Sequence, residues 1–287
     1  MQKALRLSVS VMAFLSLSAA SLPAQFIDLG FNFGAAFYSG DLSPNSPLQR
    51  LQEMRPAAGI FCRLSTSNKW SSRFNLNFAS IAGDDSRTHR VQRGLAFQTN
   101  FTEFSAIAEW HAIRIRHTEY SFTFPYVFGG IGLMHFNPRR EVNGEWVELQ
   151  PLGTEGQGLP GYDAPYRLTQ PMLPFGAGIK FITRNFTFGL EFGARFMQTD
   201  YLDDVSDRLI NHQDVFLGNG PLAASLSSPR LGGAEAVDTD YRRGGASRDW
   251  AYLMNLTVSY NFGRGIHKML SDPVPCPSFK KPTGRSL

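Results

Sequence analysis

The stretch Phe186-Thr187-Phe188-Gly189-Leu190-Glu191-Phe192-Gly193-Ala194-Arg195-Phe196 decides the fold. Successive side chains of a β-strand point to opposite faces. One face of this ribbon is therefore almost wholly phenylalanine and leucine, and the other is threonine, glycine, glutamate and arginine. A soluble sandwich strand turns its apolar face inward but seldom sustains it with so many aromatic rings. A strand in a membrane barrel reverses the sense, with the apolar face outward to lipid and the polar face lining the lumen.

Seven further stretches carry related patterns. The first, 26–38, places Ile27, Leu29, Phe31, Phe33 and Phe37 on the lipid parity, against Asp28, Gly30, Asn32 and Gly34. The second, 57–65, sets Ile60, Cys62 and Leu64 against Gly59 and Arg63, with Phe61 on the wrong parity. The third, 70–81, alternates Phe74, Leu76 and Phe78 with Arg73, Asn75 and Asn77. The fourth, 101–113, turns Phe104, Ala106, Ala108, Trp110 and Ala112 outward and Glu103, Ser105, Glu109 and His111 inward. The fifth, 122–136, is apolar on both parities, so the pattern does not settle its facing. The sixth, 172–181, sets Leu173, Phe175, Ala177 and Ile179 against Gly176, Gly178 and Lys180. The eighth, 250–262, places Trp250, Tyr252, Met254, Leu256, Val258, Tyr260 and Phe262 against Asn255, Thr257, Ser259 and Asn261. Stretches of about ten residues suit tilted membrane strands.

Connections between these stretches alternate in length. Those at 66–69, 114–120 and 183–185 are brief, whereas 40–54, 83–100, 137–170 and 198–249 are long. Outer-membrane barrels place short turns in the periplasm and long loops outside, with both termini periplasmic. Starting inside at Phe26, every long connection falls on the outer side. The expected fold is an all-β, eight-stranded, antiparallel up-and-down transmembrane barrel spanning 25–263. A soluble eight-stranded barrel of the lipocalin type is the competing fold, but it has no reason to sort its loops in this way.

Residues 1–24 read as a secretory signal peptide. Lys3 and Arg6 precede an apolar run from Leu7 to Ala20, and small residues at 20–24 suit cleavage. A buried N-terminal helix is the alternative, opposed by Pro23 and by strand periodicity starting at Phe26. No later segment supplies the roughly 20 consecutive apolar residues of a membrane helix, so spanning falls to strands. The 27 glycines and 24 phenylalanines fit such a barrel, glycine relieving a crowded lumen and phenylalanine coating a lipid face.

Eight strands enclose a space just wide enough to be filled by side chains, which argues against a general diffusion pore. The inferred lumen brings Asp28, Glu103, Glu109 and Glu191 together with Arg63, Arg73, Lys180 and Arg195, and buried charges of opposite sign must pair. Glu103, Glu109 and His111 also offer acid and base groups for hydrolysis. A packed lumenal network accounts for them more simply, because no motif places a serine or a second carboxylate beside them. Cys62 and Cys276 lack metal-ligand spacing and read as two free thiols, a disulfide requiring the tail to fold back beside the second strand. Gly153, Gly156, Gly158 and Gly161 lack the lysine and following helix of a phosphate loop, and read as an outer loop rich in turns.

Two loop sequences stand out: Leu149-Gln150-Pro151-Leu152-Gly153-Thr154-Glu155-Gly156-Gln157-Gly158, and Thr199-Asp200-Tyr201-Leu202-Asp203-Asp204-Val205-Ser206. With Ser39-Gly40-Asp41-Leu42 and Ala82-Gly83-Asp84-Asp85, they resemble the signature of the PorG-like outer-membrane barrels of the type IX secretion system. The resemblance runs from about Gln25 to Arg264. It implies a non-enzymatic barrel without cofactor or catalytic residues. Such a barrel anchors a periplasmic ring of lipoprotein and companion protein, and so assists export of substrates carrying a C-terminal sorting domain.

Asp200, Asp203, Asp204 and Asp207 invite a calcium reading. Without EF-hand spacing, a solvated acidic turn is the simpler expectation. Most of 209–245, rich in Gly, Ser, Ala and Asn, reads as mobile.

Of 28 basic and 24 acidic residues, five basic ones fall in the proline-broken tail 264–287: Arg264, Lys268, Lys280, Lys281 and Arg285, against Asp272 alone. These five are the candidate partner-binding residues. A basic periplasmic tail suits an extended contact with an acidic partner or an anionic envelope polymer; a merely solvated tail is the alternative. The compartment argues against nucleic acid. The functional expectation is an outer-membrane component that assembles the type IX secretion ring, in contact with outer-membrane lipid. The competing expectation is a surface-exposed barrel, adhesin-like or ligand-binding, with no secretion role.

Overall fold

The computed structural model describes residues 26–44, 46–88, 90–118, 120–245 and 248–262. The expected signal peptide at 1–24, the tail residues Arg264, Lys268, Lys280, Lys281 and Arg285, and Cys276 lie outside the described residues.

Eight long strands form the wall: β1 (Phe26–Ser39), β2 (Arg55–Ser65), β3 (Trp70–Asp84), β4 (Ala96–His111), β5 (Ser121–Val142), β6 (Thr169–Ile182), β7 (Phe186–Met197) and β8 (Trp250–Phe262). Each pairs antiparallel with its chain neighbour. The last strand pairs back onto the first from Ile27↔Phe262 to Ser39↔Trp250, closing the ring. Closure leaves no sheet edge, the condition for strands to cross hydrocarbon. Among the described residues no helix is long and apolar enough to cross a membrane.

The exterior is an apolar belt. Phe31, Phe33, Ile60, Phe74, Phe78, Phe104, Leu133, Phe175, Phe188, Phe192 and Leu256 stand exposed on the wall, Phe31 at 68%. In water such a continuous apolar surface would be untenable; in a bilayer it is the face that lipid covers. The parities inferred for seven strands hold. Phe61, apparently misplaced, points inward and is 4% exposed. The undecided strand β5 turns Phe122, Phe124, Tyr126, Phe128, Met134 and Phe136 inward, and Val127, Ile131 and Leu133 outward.

Four strands run well past their expected limits: β3 reaches Asp84, β4 starts at Ala96, β5 reaches Val142 and β6 starts at Thr169. They protrude beyond the belt because their inward residues Ile81, Phe97, Phe101, Phe136 and Met172 pack into the core of the outer loops. Beyond β5, a tight turn at Asn143 (φ 53°) and Gly144 (φ 86°) returns the chain as a short strand, Glu145–Glu148, beside its own extension. At the opposite end the expected 114–120 turn contains a short strand, Ile115–Thr118, against the start of β5.

The longest outer connection, 198–249, corrects the mobile reading. It holds two helices, α1 (His212–Asn219) and α2 (Pro221–Ser227), and a small hairpin pairing Leu209–Asn211 with Asp240–Arg242. Ile210, Val215, Ala223 and Ala224 form its own buried cluster. The residues that looked like disordered spacer pack as a folded cap.

Candidate functional site

The barrel interior is filled in three tiers. At the periplasmic end, Phe26, Phe122, Phe124 and Ile182 form an apolar plug. Above it lies a charged network centred on Glu109, which is fully buried. Its Oε1 accepts from Arg63 Nε at 3.0 Å and its Oε2 from Lys180 Nζ at 2.7 Å. Arg73 Nε lies 3.3 Å from Oε1, and His111 Nε2 lies 3.5 Å from Oε2. Arg63 also reaches Asp28 Oδ2 at 3.1 Å. Arg73 forks onto Glu191, which Tyr126 also approaches. Arg195 Nε reaches Glu103 Oε2 at 2.8 Å, and Glu103 Oε1 accepts from Asn77 and Ser105. All eight charged residues assigned to the lumen from strand parity meet there.

Aromatic rings complete the tier. The Phe61 ring lies beneath the guanidinium of Arg63 at 5.0 Å and of Arg73 at 5.3 Å, and Arg73 also lies over Phe128 at 5.7 Å. Such contacts favour rings that face desolvated cations, so Phe61 belongs inside. Glycine makes the room. A Cβ on Gly30 would stand 2.5 Å from Phe61 Cζ, and one on Gly193 would stand 2.8 Å from Phe128 Cζ.

The third tier is apolar and continuous with the cap: Ala36, Tyr38, Ile81, Phe97, Phe101, Met134, Phe136 and Leu253 from the wall, and Leu42, Leu149, Leu202, Val205 and Leu226 from the loops. The polar-inside expectation is therefore right for the middle of the barrel and wrong for its two ends.

The two motif loops meet above this core. Thr154 Oγ1 donates to Asp204 Oδ2 at 2.5 Å, and Tyr166 Oη donates to Asp204 Oδ1 at 2.7 Å. Ser206 donates to Glu155 through its backbone N–H at 2.8 Å and its hydroxyl at 2.5 Å. Arg243 Nη1 donates to Thr154 Oγ1 at 2.7 Å and to the Asp204 carbonyl at 2.6 Å, and lies 3.5 Å from Glu155. The rings of Tyr166 and Tyr201 stack at 4.5 Å. Burial raises both the Asp204 and Glu155 carboxyls above their ordinary range.

Asp203 and Asp204 are thus deeply buried, which corrects the solvated-turn reading. Their partners are tyrosine, threonine, arginine and backbone amides, and among the described residues no group of three or more ligating side chains is placed to hold a metal ion. The four turn glycines take positive φ values, from 59° at Gly153 to 90° at Gly161, as an outer loop of turns requires. Cys62 carries a free thiol. Neither loop motif showed on its own that it would bind the other; the spacing of Thr154-Glu155 and Asp203-Asp204-Val205-Ser206 gives no local signal of their pairing. The Asn143-Gly144 hairpin was readable, since Asn-Gly is the favoured pair for a two-residue turn.

The family model of a domain of unknown function, DUF6089, matches residues 6–221, three quarters of the chain. The chain belongs to this family. No curated protein matches it. Among solved structures it is similar to the outer-membrane protein OprG of Pseudomonas aeruginosa (10% identity, 83% of this chain and 95% of that one, TM-score 0.41). It is also similar to Neisserial surface protein A (10% identity, 83% and 97%, TM-score 0.40) and to Ail of Yersinia pestis bound to the heparin analogue sucrose octasulfate (12% identity, 83% and 97%, TM-score 0.34). The strand register establishes the barrel independently of these likenesses. A closed β-ring with an apolar exterior is the form in which strands cross the bacterial outer membrane, and this member of the DUF6089 family resides there.

Proposed function

We propose that this chain is a non-enzymatic, non-conducting outer-membrane anchor that assembles the periplasmic ring of the type IX secretion machinery. The observation that carries the first half is the filled lumen. Among the described residues every carboxylate of the Glu109 network contacts a cation and apolar tiers close both ends, which supports a barrel that neither conducts nor catalyses. Surfaces and termini are left to act. The second half is supported by the resemblance of the 149–158 and 199–206 motifs, and by the basic tail with Arg264, Lys268, Lys280, Lys281 and Arg285. Its partners on this reading are the ring lipoprotein and its companion.

Detergent extraction followed by affinity purification tests it. The ring lipoprotein and its companion co-purify with the full chain, and recovery falls when residues after Arg264 are deleted while the barrel stays inserted. Absence of both proteins from the full-chain preparation refutes the assembly role.

A second reading is favoured by one feature, a cleft of about 350 Å³ on the cap lined by Glu155, Tyr162, Asp163, Tyr201, Arg208 and Arg242. On that reading the cap binds a polar ligand outside the cell. Replacing Tyr201 and Arg242 then abolishes surface binding and leaves protein export intact.

A further inference from the structure

The described residues of the three short turns carry charge of one sign. Lys69 lies in the β2–β3 turn, Arg114 and Arg116 in the β4–β5 turn, and Arg184 in the β6–β7 turn. Among the described residues of these turns there is no aspartate or glutamate; Glu119, outside the described set, is the one acid in their sequence. Lys69, Arg116 and Arg184 are exposed. The turns are held at one level by the wall: His111 N–H donates to the Lys69 carbonyl at 2.8 Å, and Asn261 N–H donates to the Asn185 carbonyl at 2.8 Å.

Immediately toward the membrane stands an aromatic collar. Trp70 faces Trp110 across the β3–β4 ladder, and both are exposed on the lipid parity, as are Phe181, Phe186, Tyr260 and Phe262. Tryptophan and tyrosine at this position mark the level of lipid headgroups. All three guanidiniums rest on aromatic rings, Arg184 over Tyr120 at 4.3 Å, and Arg114 and Arg116 over Phe122 at 5.2 and 5.9 Å. Those rings brace the cations at the barrel mouth while Arg116 and Arg184 stay exposed to the surroundings of the rim.

We infer that this inner rim is a binding collar for anionic phospholipid of the periplasmic leaflet, phosphate groups seating on Lys69, Arg116 and Arg184 while the acyl chains lie against Trp70 and Trp110. Cations at an anionic lipid surface draw its headgroups electrostatically, and arginine takes phosphate in a fork. The inference rests on the reading of the short turns as periplasmic, which impermeant labelling of Asn185→Cys tests separately.

The test is quenching of Trp70 and Trp110 by brominated lipid. The full chain with Trp146→Phe and Trp250→Phe is reconstituted in phosphatidylcholine vesicles containing either brominated phosphatidylglycerol or brominated phosphatidylcholine. Phosphatidylglycerol is expected to be enriched at least about threefold around these indoles, and the enrichment is expected to vanish in Lys69→Gln/Arg116→Gln/Arg184→Gln. Equal quenching by the two lipids overturns the inference, as does a preference that survives in the triple variant. Should that variant fail to insert, the unmodified rim decides alone: preference lost in about 0.5 M salt supports the collar, and preference retained there overturns it. Capture of an acidic periplasmic protein by a rim that shows no lipid preference assigns the charges to protein docking and likewise overturns it.

Discussion

Asp203 and Asp249 reach the same phenol oxygen: each places a carboxylate oxygen 2.6 Å from the hydroxyl of Tyr38. Their other oxygens accept backbone N–H groups, Asp203 from Val205 at 2.9 Å and Asp249 from Leu202 at 3.0 Å. Tyr38 has one hydrogen and cannot donate it twice. One of the two carboxyls therefore carries a proton, and the trio ties the end of β1, the start of β8 and the 199–206 motif together. Burial, reinforced by Asp249, holds Asp203 well above the usual carboxylate range, and burial pushes Asp249 up to about 8. Asp41 and Asp200 add negative field from the neighbouring loops.

The cap should loosen as pH rises. With a folded pKa above the unfolded value, the native cap binds the extra proton. Its stabilisation is complete below the unfolded value of about 4, is lost progectively up to about pH 8, and changes little beyond. The slope is about 1.4 kcal/mol per pH unit for one proton. Hydrogen exchange of the Leu202 amide, followed across pH 5 to 9 after correction for intrinsic rates, reads it. In Asp249→Asn the amide supplies the missing hydrogen permanently, so stability at low pH is retained and the slope flattens. An unchanged slope in that variant refutes the shared proton.

Removing the centre of the lumenal network should destabilise a barrel that, intact, does not conduct. Glu109→Gln leaves Arg63, Arg73 and Lys180 buried without their common anion, a loss of about 3–5 kcal/mol. Urea unfolding in detergent, followed by heat-modifiable gel mobility, measures it. The unaltered chain should give no steady conductance in planar bilayers.

Gly193 and Phe128 should behave as a coupled pair. The atoms nearest a Cβ on Gly193 are the end of the Phe128 ring and, at 3.0 Å, Arg195 Nη1, all on movable side chains. Gly193→Ala should cost about 1–3 kcal/mol. In a Phe128→Leu background most of that penalty should disappear, a coupling that a double-mutant cycle on unfolding free energy isolates.

Cap and barrel should separate energetically. Arg243→Met strands Glu155 and Asp204, and should expose the 198–249 connection to external protease while the strands remain protected. Equal protease resistance in the variant would show that Arg243 does not hold the motif loops together.

How far the sequence disclosed this arrangement follows from distance along the chain. Lipid-facing parity is local, so Phe74, Phe104 and Phe188 could be placed by counting in twos, and the charges opposite them fell into the lumen by the same count. Phe61 defied the count because its ring serves two guanidiniums, one of them, Arg73, across a ladder. Strand β5 was unreadable because its inward face meets apolar tiers at both ends, so aromatic residues suit both sides of the wall. The cap was hidden altogether. Its order comes from Arg93 on the carbonyls of Asp41 and Arg243, Arg243 on Thr154 and Asp204, and Asp249 on Leu202, contacts that join segments distant in sequence. Local composition at 209–245 held no trace of them.

The most direct test of a lipid-embedded barrel with its cap outside is cysteine labelling in intact cells, in a background with Cys62→Ser and Cys276→Ser. A membrane-impermeant maleimide should label Ser225→Cys on the cap at once, and Asn185→Cys in a short turn only after the outer membrane is permeabilised. It should leave Phe188→Cys on the wall unlabelled in both conditions. Prompt labelling of Phe188→Cys, or labelling of Asn185→Cys in intact cells with Ser225→Cys protected, would contradict the account.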